Sequence, residues 1–210
     1  MSEGPVLCAF DASEPSLLAT HAAAWLAGAL HAPLELVYVV DHGDLPALPR
    51  RGATVDPHVR DAVYEIQEQI AEEVARAEVE AALSVLPHAD VSGSVLTGRP
   101  APVILQRASD RDAALLVSGT AARRGLDHLL QGSVSGTLAA EAPCPVALVP
   151  PDAALREPGP VLVGDDRSEH GRRAVHQAQA LAARLGRDLL PLHVEEGDPA
   201  QDLARTAHEC

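Results

Sequence analysis

The chain has 210 residues, nearly half of them hydrophobic, which is enough for one or two folded units with a real core. Sixteen arginines stand against 30 acidic residues, a formal net charge of −14 that repels phosphate backbones and anionic lipid, so neither nucleic acid nor a membrane is the expected partner. There is no lysine and no asparagine, which excludes a P-loop of the G-K-[ST] type, lysine nucleophiles and N-glycosylation.

Short apolar runs alternate with longer helical patterns, the signature of βαβ units and a parallel sheet. The N-terminus has no basic patch and leads straight into Pro5–Phe10, so it reads as a first strand, not a signal peptide. A helix follows over about Pro15–His31, with Ser13 or Glu14 at its start. Leu34–Val40 is the second strand. A proline-bearing loop then leads to a long helix over about Pro57–Leu86. There Val59, Val63, Ile66, Ile70, Val74 and Ala77 recur three or four apart, and the spacing predicts one buried stripe. Asp90–Leu96 is strand three. After the Gly98-Arg99-Pro100 turn comes a helix over Ala101–Ser109, then strand four, Ala113–Ser118. Residues 119–132 form a loop with glycines and arginines, followed by a helix over about Ser133–Glu141 and strand five, Val146–Val149. No run approaches the roughly 18 apolar residues of a membrane span.

Beyond Pro150-Pro151 the pattern restarts. Gly159-Pro160-Val161-Leu162 repeats Gly4-Pro5-Val6-Leu7, and Asp166, Ser168 and Glu169 repeat Asp11, Ser13 and Glu14. The offset is constant and needs no gap, so the reading is an internal duplication. Residues 1–150 are then a complete unit, 151–158 a linker, and 159–210 a truncated second copy of strand, helix, strand and a short helical tail. One helix cannot cover such a fragment's strand edges, so it is expected to join the first sheet's edge or to pair with another chain. His21 and His176 fall at equivalent helix positions, where packing is the expected explanation.

Three cysteines, Cys8, Cys144 and Cys210, show no metal spacing and fit a reducing cytoplasm. Neither H-E-x-x-H nor a G-x-S-x-G elbow is present, so a metal site and a hydrolase triad have no anchor. In an open parallel sheet, ligands bind beyond the carboxyl ends of the strands, where strand order reverses. If strands one and four are neighbours, Asp11, Val39 and Gly119 converge there. Asp11 could accept a hydrogen bond from a ribose hydroxyl or a base amine, although Asp-x-Ser after a strand also suits a helix cap. Backbone near Val39 could read an adenine edge. Glycine at 119 would let the backbone approach a phosphate, and Gly132-Ser133 opens a helix whose N–H groups favour an anion.

These residues carry a resemblance. Val117–Val149, including Ala142-Pro143-Cys144-Pro145-Val146, resembles the C-terminal signature of the universal stress protein family. The family's ATP-binding members carry G-x2-G-x9-G-[ST]. Gly119, Gly132 and Ser133 match at that spacing, with Ala122 at the second glycine and Arg123 beside it. The resemblance spans 4–150, and its first half recurs over 159–196. It implies an open five-stranded parallel sheet of order 3-2-1-4-5 with helices on both faces, the adenine nucleotide alpha hydrolase-like α/β fold. It also implies ATP or a related adenine nucleotide as ligand, with Mg²⁺ as its companion ion, and homodimerisation through strand five. By the same resemblance Asp11 and Val39 meet adenosine, while Gly119, Ala122, Arg123, Gly132 and Ser133 surround the phosphates. No base or metal cage for hydrolysis is evident beyond Asp11 and Asp41, which leaves at most a weak ATPase. The alternative is a dimeric interaction module of the same fold that has lost the nucleotide through Ala122.

Overall fold

A computed structural model of the chain describes residues 3–41, 43, 57–87, 90–120, 134–153 and 159–192. The first unit runs β1 (Val6–Phe10), α1 (Glu14–Leu30), β2 (Leu34–Val40), α2 (Pro57–Ser84), β3 (Val91–Thr97), α3 (Pro100–Asp110), β4 (Leu115–Gly119), α4 (Val134–Glu141) and β5 (Val146–Val149). Its five strands form one sheet in the order β3-β2-β1-β4-β5. All four pairings are parallel. β1 is central, with Val6 in register with Leu34 of β2 on one side and Leu115 of β4 on the other.

Every residue of β1 is buried. An all-apolar strand is what a parallel sheet covered on both faces requires. Val6, Cys8, Leu34, Leu36, Leu115 and Val117 face one layer, made by α1 and α2. Leu7, Ala9, Val37 and Leu116 face the other, where Ala101, Ile104 and Ala108 of α3 meet Leu138 of α4. α1 turns an alanine face to the sheet (Ala19, Ala23 and Ala27, all fully buried), so backbone can lie close to backbone. Burial pushes the Cys8 thiol up to about 12, against a weaker opposing hydrogen bond with Thr20, and leaves it an inert small hydrophobe.

One buried charge ties the second layer down. Glu35 of β2 is 2% exposed. Its Oε1 accepts from Arg107 Nε (2.9 Å) and Nη2 (2.6 Å) and from the Ser94 hydroxyl, and its Oε2 accepts from Arg111 Nε at 3.1 Å. Both arginines sit at the end of α3, so the network clamps that helix to β2 and β3.

The predicted α2 stripe is not core. Val59, Ile66, Ile70 and Val74 are each more than half exposed, Ala77 is exposed, and Val63 is half-buried. The buried residues of the helix are Ala75, Val79 and Ala82. They pack where β3 has no side chain, since a Cβ at Gly93 would overlap Val79 Cγ1. The periodicity was real, but the stripe faces outward because the sheet takes the smaller side chains. His21 and His176 are likewise exposed, not packed.

The second unit has β6 (Val161–Gly164), α5 (Glu169–Leu185) and β7 (Leu189–Leu192). β6 and β7 pair in parallel as a separate two-stranded sheet, so the first of the two expected arrangements, addition to the first sheet's edge, is not the one seen. It joins helix to helix instead. Leu181 and Leu185 of α5 pack against the first core, and Arg184 Nη2 donates to the Leu30 carbonyl at 3.0 Å.

Candidate functional site

Strand order reverses between β1 and β4, and the ends of these strands open into a cleft of about 260 Å³. Its floor is the end of β1 (Ala9, Phe10, Asp11), Val39 of β2, and Ser118 and Gly119 of β4. Its walls come from the first turns of three helices: Ser13, Pro15 and Ser16 before and in α1, Pro100 and Ile104 of α3, and Val134 and Ser135 of α4. Helices that begin at one rim point the positive ends of their dipoles into one space, which favours an anion there.

The β1–α1 turn is held by its own side chains. Asp11 Oδ1 accepts from the Ser13 N–H at 3.0 Å, and Ser13 caps α1 by accepting from the Ser16 N–H at 3.4 Å. The Ser16 hydroxyl donates to the Ser13 carbonyl at 2.9 Å and accepts from the Asp11 N–H at 3.3 Å. Between Asp11 and Ser13 the backbone passes through a left-handed residue, Ala12 at φ 58. Burial acts to raise the Asp11 carboxyl. Hydrogen bonds from Ser13 and Ser16 outweigh it and hold the group below the ordinary carboxylate range. Asp11 is therefore an anion at neutral pH, an acceptor only, exposed at the mouth of the cleft.

Of the seven residues singled out from sequence, Asp11, Val39 and Gly119 line this one cleft. Ala122, Arg123, Gly132 and Ser133 lie outside the described residues. Gly119 has a different reason to be glycine from the one expected. A Cβ there would overlap the Pro15 carbonyl, so its clearance is taken by α1, not by the open space of the cleft. The Asp11 carboxylate makes the turn, one of the two roles weighed for it, and it also lines the cleft.

Sequence reasoning missed Ser16, Ser118 and the start of α3. The last was within reach: a helix opening directly after β3 must begin at the same rim as the helix after β1. Among the described residues no cluster of three or more His, Cys, Asp or Glu could hold a metal, and no helix is long and apolar enough to cross a membrane.

Comparison with known proteins gives a consistent set. The profile described as the universal stress protein family matches residues 4–150. Universal stress protein Rv3134c of Mycobacterium tuberculosis is 33% identical over 144 residues, covering 66% of this chain and 47% of that protein. Universal stress protein Rv1996 of the same organism is 34% identical over 127 residues, covering 60% and 39%. The chain thus spans about half the length of the curated relatives it matches, or less. Among solved structures, a universal stress protein from Archaeoglobus fulgidus shares the fold, with a TM-score of 0.56 and 20% identity over 100% of this chain and 74% of that one.

Proposed function

The chain belongs to the universal stress protein family, and on that premise we propose that its rim cleft binds ATP or a related adenine nucleotide in a regulatory, stress-responsive role. The observation that carries the reading is the convergence of Asp11, Val39 and Gly119 with three helix N-termini at the point where strand order reverses. The side chains present suit such a ligand. The Asp11 carboxylate accepts from a ribose hydroxyl, Val39 and Ile104 supply apolar surface for a base, and the helix dipoles favour the phosphates. At about 260 Å³ the space bounded by described residues is slightly below the usual 300–1,000 Å³ of a small-molecule site, so it suits the nucleoside end. Ala122, Arg123, Gly132 and Ser133 enter as phosphate contacts on their sequence spacing alone. Occupancy would act by favouring one of two conformations, or a dimer formed along the β5 edge.

The reading extends to the second unit as the beginning of another copy. What supports it is local geometry at a constant offset. Asp166 Oδ1 accepts from the Ser168 N–H, as Asp11 does from Ser13. Ser168 caps α5 as Ser13 caps α1. Arg167 is left-handed at φ 61, as Ala12 is at φ 58. Val161 faces Leu189 as Val6 faces Leu34.

Calorimetric titration of the chain with ATP and Mg²⁺ tests the proposal. The expected result is saturable heat that Asp11→Ala weakens by roughly tenfold or more, the loss of a hydrogen bond to a charged group at about 1.5–3 kcal/mol. Absence of both heat and thermal shift at millimolar ATP would leave the interaction-module reading.

A further inference from the structure

α2 is too long for the strand it covers. It has 28 residues against seven in β3. It runs antiparallel to that strand, with Val79 and Leu83 beside Gly93. Thr97, the last residue of β3, reaches Glu72 through its hydroxyl at 3.4 Å. The helix therefore passes the carboxyl rim of the sheet near Glu72. The 15 residues before it extend beyond the rim as an arm of about 22 Å, at 1.5 Å per residue.

The arm continues the outward stripe. Val59 is 55% exposed, Ile66 and Ile70 each 54%, and Val74 51%. At about 100° per residue these four lie within about 80° of one another, and about 150° from the face made by Ala75, Val79 and Ala82. The helix has two apolar faces, and among the described residues only the one made of smaller side chains packs against the sheet. An apolar stripe of this length opposite the packed face is the geometry of a helix-recognition surface, in which a partner helix fills the i, i+4, i+7 ridge. Charge selects the partner. Residues 57–74 hold Asp61, Glu65, Glu68, Glu72 and Glu73 against the single cation Arg60, a net −4 with histidine neutral. Two such arms repel each other, and an anionic lipid surface repels one.

We propose that the outward stripe of α2 is a docking face for an amphipathic helix of a partner protein that carries Lys or Arg beside its own apolar ridge. This is independent of the nucleotide reading, because the stripe shares no residue with the cleft.

Two synthetic helical peptides with the same leucine ridge, one flanked by Lys and one by Glu, test it by fluorescence anisotropy on the full chain. The Lys peptide is expected to bind at least about tenfold more tightly than the Glu peptide, with the difference shrinking in salt. The double variant Ile66→Ser/Ile70→Ser keeps every charge and alters only exposed side chains, so its helicity should match the parent. It is expected to lose about tenfold or more in affinity for the Lys peptide. Val59→Ser, further out on the arm, should weaken binding in the same direction. Equal binding by parent and double variant would assign the attraction to the chain's net charge and overturn the proposal. So would failure of both peptides to bind, or a concentration-dependent dimer abolished by Ile66→Ser/Ile70→Ser, which would give the stripe to a second copy.

Discussion

A methyl group at position 119 would be driven into the first turn of α1, where the Pro15 carbonyl stands. Gly119→Ala should therefore act on the fold as well as on the cleft. The expected cost is about 2 kcal/mol, typical of overpacking against backbone, and a fall in Tm of roughly 4–8 °C for a chain of this size. An unchanged thermal midpoint would show that α1 yields without strain. The same residue shows what a motif can and cannot say. Its spacing to Gly132 and Ser133 marked the rim from sequence alone, yet spacing carries no direction, and the missing side chain turns out to make room for a helix. Asp11 was legible for a firmer reason. A carboxylate two residues before a capping serine has a local partner wherever it occurs, so the turn was predictable from Asp-x-Ser, and the end of a central strand put it at the rim. Ser16 was not legible, because its hydroxyl acts through the Ser13 carbonyl and the Asp11 N–H, contacts that exist only once the turn has closed.

At the scale of elements, the helices and strands of the described residues fall where periodicity and punctuation place them, within a residue or two at most ends. The exception in meaning is α2. Periodicity reports that apolar residues share a face and is silent on what that face meets. Alanines at 75 and 82 with Val79 gave a weaker pattern than the stripe opposite, yet small side chains are what let a helix approach the sheet beside Gly93. The buried Glu35 was equally hidden, since an acidic residue in an otherwise apolar strand gives no sign of the arginines that will reach it from a helix some 70 residues later. Removing one of them should be costly. Arg107→Met leaves a buried carboxylate short of two hydrogen bonds and should cost about 3 kcal/mol or more in denaturant unfolding. Adding Glu35→Met to that variant should recover much of the loss, because an apolar pair of similar volume leaves no charge behind. A double variant no more stable than Arg107→Met alone would mean that Glu35 is not the source of the cost.

Across the whole molecule, the parallel sheet followed from the alternation of elements and its strand order from the family resemblance, while the placement of the second unit followed from neither. A βαβ fragment with uncovered edges can satisfy itself by strand pairing or by burying its helix. Here Leu181 and Leu185 reach the first core while the two sheets stay separate. That choice depends on side-chain fit between α1 and α5, which no pattern in either helix encodes. What the fold does secure is a rim where three helix starts and one ionised carboxylate face a common cleft, and the functional account rests on that rim. Photolabelling with 8-azido-ATP locates an adenine directly. The account predicts incorporation into peptides from the β1–α1 turn or the end of β2, carrying Asp11 or Val39, and its suppression by excess ATP. Label confined to other peptides, or incorporation that ATP does not suppress, would contradict it.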